Sequence, residues 1–228
     1  MTTKYPTIIV ILLLIISCSK SEKTIKNAEV HIETKIIKET GNYKNNNIFH
    51  IDAKIPIVSD LEFGLEELIK KWKINNETDR LEKIKPKGEI HEYFYQSDFE
   101  IFTNENLQIT SILYEQYTIT ERDANGLTTY HPINLRGREK IELSDVISQD
   151  QLDSLIQVLR EQVEKELKNS REFDIQIDTR GKSFEEIFNQ YKYYFKNNNV
   201  IVFYDPLTIR DHASGKVEFT FPIENTEG

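Results

Sequence analysis

The sequence predicts an α+β fold, an antiparallel sheet packed by two main helices. Three observations carry this. Val30, Ile32, Thr34 and Ile36 alternate with Glu29, His31, Glu33 and Lys35, the period of a strand with one wet face. Leu152, Leu155, Ile156, Leu159, Val163 and Leu167 fall instead on one helical stripe. Val217, Phe219, Phe221 and Ile223 return to a period of two at the end of the chain.

The first strand breaks at Gly41-Asn42 and Asn45–Asn47, and Phe49, Ile51, Ala53, Ile55 and Ile57 resume the alternation. Ser59 with Glu62 has the capping-box spacing, so a helix is expected from there, carrying Leu61, Leu65, Leu68, Ile69 and Trp72 inward. It is expected to fray in Asn75–Lys83, and Pro86-Lys87-Gly88 ends the connection. Ile90–Thr103 and Leu107–Ile119 read as paired strands. Asp123–Gly126 is a hairpin turn, because Asn and Gly accept positive φ. Pro132 in the next strand predicts an edge or a bulge.

Ser148 and Gln151 cap the long helix, and Ser183 and Glu186 cap a short one carrying Phe184, Ile187 and Phe188. Phe173, Ile175 and Ile177 suit a short strand between them. Tyr191–Phe195, a turn at Asn197–Asn199, Val200–Tyr204 and Val217–Ile223 complete the fold. The expected organisation is 28–87 as a β-β-α sub-domain and 88–228 as an α+β domain, with an optional division near Lys87.

Before the fold, Lys4 precedes an apolar run, Thr7–Ser17, and then Cys18, the single cysteine of the chain. About eleven apolar residues are too few for a spanning helix, which needs about 20. The run has the length of a signal-peptide core. The arrangement resembles the bacterial lipoprotein signal, with 1–17 removed and the Cys18 thiol lipidated. Ser19–Asn27 is polar and reads as a tether within 18–27. It lacks a dense acidic cluster, which points to a periplasm-facing protein in the bacterial envelope. The membrane is then met through the N-terminal lipid alone.

Composition narrows the function classes. Net charge is −9, with Lys+Arg 29 against Asp+Glu 38, so no basic surplus exists to neutralise nucleic-acid phosphates. With no cysteine after Cys18, disulfides and Cys-based zinc sites are excluded. The five histidines form no H-E-x-x-H or similar metal spacing, and no metal or cofactor is expected. His31 and His50 are candidate cross-strand neighbours. His131-Pro132 and Asp211-His212 tempt as acid–base groups, but no nucleophile elbow accompanies them. The aromatic runs Tyr93–Phe99 and Tyr191–Phe195 suit a half-buried sheet or a recognition face.

The C-terminal residues also carry a family resemblance. Asn199–Ile209 with Asp205-Pro206-Leu207, then Ala213-Ser214-Gly215 and Val217–Pro222, resembles the closing motif of the RsiV/PdaC-type envelope domain. Ile141–Ile147, with Leu143-Ser144-Asp145, is similar to that family's L-x-D turn before its long helix. The similarity runs over roughly Ile109–Ile223, and Ala28–Lys87 matches the accompanying N-terminal half more loosely. Asn125–His131 departs from the family's usual G-G-A-H-like segment. The resemblance implies a non-enzymatic binding module of the envelope, with lysozyme-like proteins or peptidoglycan as ligand. Two alternatives stay open, a hydrolase of envelope material and a structural lipoprotein without a soluble ligand. The binding surface is expected in the Asp205–Lys216 loop, with Tyr204 as anchor or core residue, Asp211 as rim charge and His212 beside it.

Overall fold

The computed structural model describes residues 30–44, 46–77, 90–121, 123–172 and 181–223. The signal segment, Cys18, the tether, the Pro86–Gly88 connection and the expected 173–177 strand lie outside the described residues.

Two sheets are stacked and each carries its own helices. Strands β1 (Ile32–Asn42) and β2 (Ile48–Val58) pair antiparallel, from Ile32 opposite Val58 to Asn42 opposite Ile48. Helix α1 (Leu65–Glu77) then returns the chain, so β3 (Glu92–Asn104) lies parallel to β2. This corrects the all-antiparallel expectation. A helix that carries the chain back along the sheet delivers the next strand in the same direction. Strands β4 (Ile109–Thr120), β5 (Leu127–Arg136) and the short β6 (Glu139–Lys140) extend the sheet antiparallel, in the order β1-β2-β3-β4-β5-β6. The optional division near Lys87 thus falls between two strands, β2 and β3, that are hydrogen-bonded neighbours in one sheet.

The start of α1 differs from the expected Ser59 cap. Leu61 donates its N–H back to the Val58 carbonyl at 3.0 Å, and Asp60 takes a φ of 64°. The chain closes a tight turn there, Gly64 takes a φ of 70°, and the helix begins only at Leu65. The stripe Leu65, Leu68, Ile69 and Trp72 still packs as its spacing predicts, on Phe49, Ile51, Ala53 and Ile55 of β2 and on Tyr93, Tyr95 and Tyr114. Tyr95 and Tyr114 are fully buried and keep their hydroxyls satisfied by bonding each other at 3.0 Å.

The second sheet is antiparallel, in the order β7 (Lys192–Lys196), β8 (Asn199–Tyr204) and β9 (Val217–Pro222). Its alternation divides two cores. Phe195, Val200, Val202 and Tyr204 face α2 (Gln149–Glu172) and α3 (Phe184–Phe188), where Leu155, Leu159, Val163 and Leu167 are buried. Tyr194, Ile201 and Phe203 face the large sheet at Leu113, Phe102 and Tyr130. The two main helices therefore cover different sheets instead of sharing one. Both capping boxes form as expected. Ser148 and Gln151 exchange bonds of 3.1 and 3.3 Å, and Ser183 and Glu186 bonds of 2.7 and 3.2 Å.

The edge of the small sheet is sealed by side chains of the large one. The Ser111 hydroxyl accepts from the Phe195 N–H at 2.9 Å and donates to the Asn134 carbonyl oxygen at 2.7 Å. Asn134 in turn donates to the Tyr193 carbonyl at 3.2 Å. Buried backbone groups that a further strand would have paired are satisfied this way, and the relation of the two sheets is fixed.

Candidate functional site

The residues expected to form a binding surface do not converge. Tyr204 has 0% exposure, and its hydroxyl donates to the Phe188 carbonyl at 2.8 Å. It takes the core role, and the anchor role is not open to a side chain without surface. Asp211 caps the turn His212–Ser214 by accepting from the Ser214 N–H at 3.0 Å, which together with the Ser214 hydroxyl holds its carboxyl below the usual range. His212 is half-buried, with Nε2 2.7 Å from the Gly126 carbonyl. This loop is therefore docked on the β4–β5 turn. Gly126 itself sits under the Tyr117 ring, where an added Cβ would lie 2.3 Å from the ring carbon Cζ. Cys18 is not among the described residues.

His31 and His50 are not neighbours. Thr40 stands opposite His50, whereas His31 precedes Ile32 at the far end of the pairing. His50 stacks on Phe94 at 4.8 Å and lies 3.0 Å from Glu92. Among the described residues no group of three or more His, Cys, Asp or Glu could hold a metal ion.

What the fold does assemble is a cleft of about 490 Å³, in the seam between α1, the edge of β5 and the approach to β7. Leu65 and Leu68 of α1 with Phe63 just before it form one wall, Tyr130–Asn134 the strand wall, and Lys140–Glu142 with Tyr191–Tyr193 the remainder. Pro132 is the reason the strand wall is open. It has no N–H to offer a further strand, and β6 pairs only with Leu135 and Arg136.

Both ends of this open stretch are closed. The Lys192 ammonium donates to the Tyr130 carbonyl at 2.6 Å and to Asp205 at 2.5 Å, and Asp205 accepts the Tyr130 N–H at 3.2 Å. At the other end Ile141 donates to the Asn134 carbonyl at 3.0 Å. The Tyr193 hydroxyl donates to Glu142 at 2.6 Å and accepts from the Leu143 N–H at 3.0 Å. Burial, with Glu142 beside it, pushes that phenol well above its usual range.

His131 stands in the strand wall with its ring 6.0 Å from Tyr114. Its Nε2 is buried and has no hydrogen-bond partner among the described residues. Burial holds the imidazole below its ordinary pKa; the Lys192 ammonium adds to the depression and Asp205 opposes it. A folded-state pKa below the unfolded one means the unfolded chain binds the proton more readily. Stability is therefore expected to fall as pH drops through about 6.5, and to level off below the depressed folded value. Urea melts of the parent and of His131→Gln across that window check it. The same slope in both would show that His131 does not titrate as described.

Fold and site together define an α+β module of two stacked sheets with a cleft at their seam. Residues 144–224 match the family described as "Protein of unknown function (DUF3298)". That span holds α2, α3 and the small sheet, so of the cleft lining only Tyr191, Lys192 and Tyr193 lie within it. Among solved structures, a member of the DUF3298 family from Bacteroides fragilis shares the fold, with a TM-score of 0.51 and 14% identity over 86% of this chain and 91% of that one. No curated protein shows significant similarity to the chain.

Lys140 and Lys192 carry no signal of their own in the sequence. Two signals do point here: the aromatic run Tyr191–Phe195, which includes Tyr193, and the His131-Pro132 pair in a strand marked as an edge.

Proposed function

We propose that this protein is a lipid-anchored envelope module that binds wall material and performs no chemistry on it, with peptidoglycan fragments as ligand. The observation that carries the reading is the cleft, whose volume of about 490 Å³ suits a small ligand. Its aromatic and apolar walls, Phe63, Leu68 and Tyr191, suit sugar rings and acyl groups, and Asn134, Lys140 and Glu142 offer polar contacts around them. The titratable groups at its rim are held in structural pairs, Lys192 with Asp205 and Tyr193 with Glu142, which favours recognition over catalysis. The RsiV/PdaC-type closing motif and the lipoprotein-like start support the envelope location. Among the described residues no helix is long and apolar enough to cross a membrane, in keeping with attachment through Cys18.

A second reading rests on charge. A net −9 would speed encounter with a basic protein such as lysozyme, whichever surface makes the contact.

The Cys18→Ala variant tests both parts. It is expected to lose fatty-acid labelling and to be released from the membrane. That soluble form, passed over immobilised peptidoglycan and immobilised lysozyme, is expected to bind the peptidoglycan and leave its fragments intact. Labelling equal to the parent removes the lipid anchor. Binding to lysozyme alone moves the ligand to the second reading, and release of cleaved fragments turns the protein into a hydrolase.

A further inference from the structure

We propose that the cleft is a carboxylate site, selecting ligands that carry a free carboxylate through Lys140, Lys192 and His131. The inference deepens the binding reading and rests on it.

The chain is acidic overall, yet the charged side chains lining the cleft are Lys140 and Lys192 against Glu142. Glu142 is already committed to the Tyr193 hydroxyl. Lys192 uses two of its three protons on the Tyr130 carbonyl and Asp205, and one donor remains. Lys140 makes one long bond, 3.4 Å to the Glu62 carbonyl, and its ammonium lies 5.3 Å from the centre of the Phe63 ring. It has no carboxylate partner among the described residues.

His131 supplies the independent observation. A buried polar atom without a partner is uncommon in a native fold and asks for a reason. His131 lines the cleft but its Nε2 is covered, so a ligand oxygen becomes the partner that Nε2 lacks only once the neighbouring wall side chains move aside. The Lys140 ammonium, which no carboxylate among the described residues answers, and the remaining Lys192 donor are suited to an anion, because charge-assisted bonds are the stronger ones. A neutral sugar would leave Lys140 unanswered, whereas Lys192 already has Asp205. The glycopeptides of the wall carry their negative charge as carboxylates, and the walls Phe63 and Tyr191 remain for the uncharged part.

Isothermal titration of the Cys18→Ala protein with N-acetylmuramyl-L-alanyl-D-isoglutamine, and with the same compound converted to its amide, decides it. The acid is expected to bind roughly 10-fold more tightly than the amide, the worth of one charge-assisted bond. Lys140→Met is expected to remove that preference, so that acid and amide then bind with equal affinity. Lys140 is exposed, and a thermal melt equal to the parent's verifies that the variant is folded. Acid and amide binding equally would overturn the carboxylate site while the binding reading stands. Competition by inorganic phosphate as strong as by the acid would overturn the carboxylate preference. Binding of neither compound at millimolar concentration would overturn the inference and the peptidoglycan reading together.

Discussion

Tyr204→Ala is expected to destabilise the fold by about 3–5 kcal/mol, the cost of deleting a fully buried aromatic side chain. The ring meets Phe219 edge-on at 6.3 Å, and the core around it includes Val202, Val217 and Phe188. Its hydroxyl is the donor to the Phe188 carbonyl at the end of α3. Tyr204→Phe keeps the ring and removes this bond, while the Tyr191 N–H still donates to that carbonyl at 3.3 Å, so a smaller loss of about 0.5–1.5 kcal/mol is expected. Chemical denaturation of the two variants separates ring from hydroxyl. A Tyr204→Ala midpoint equal to the parent's would contradict the burial. It would also restore Tyr204 as a candidate contact residue, since an exposed anchor costs affinity and leaves stability untouched.

Leu159→Ala is expected to cost about 2–5 kcal/mol. Leu159 has 0% exposure and sits between Leu155 and Val163 on the α2 stripe, against the small sheet. The range reflects how far Ile187 and Phe188 can collapse into the space. Arg160, the next residue, is the control. It makes a two-pronged bond to Glu185 at 2.6 and 3.2 Å and lies 4.5 Å from the Phe188 ring, yet the pair stands in solvent. Exposed ion pairs contribute little, so Arg160→Ala should move the denaturation midpoint far less. Equal midpoints for Leu159→Ala and Arg160→Ala would mean that the stripe does not carry the α2 interface.

These residues also mark what can be read from sequence here. The α2 stripe, the Ser148 and Ser183 boxes and the Pro132 edge are local. Each depends on spacings of a few residues, and each forms as the spacing predicts. Ser59 had the same spacing and failed, because Asp60 and Gly64 could take positive φ and a turn competed successfully with the cap. Arg160 lies off the apolar stripe, yet α3 folds back against it, a neighbour 25 residues on that no local spacing announces. The alternation of Val200, Val202 and Tyr204 already put Tyr204 on one face with two core valines. The parallel pairing of β2 with β3 had no local signal at all, because strand order is decided by which edges meet after α1 has packed.

The cleft was beyond reach for the same reason. Its walls come from four separated segments, and its closing pair, Lys192 and Asp205, joins β7 to the loop after β8. Nothing in the spacing of those residues distinguishes them from solvated charges.

The central claim is that wall fragments are bound in this cleft. Mapping the backbone amide shifts of the isotope-labelled Cys18→Ala protein, titrated with the muramyl dipeptide, tests it most directly. The account predicts perturbations concentrated at His131, Ile133, Lys140, Tyr191 and Tyr193, with His50 and Phe94, on β2 and β3 away from the β5 edge, unmoved. Perturbations centred on His50 and Phe94, or on the Asp211–Ser214 turn, with the cleft residues unchanged, would contradict it.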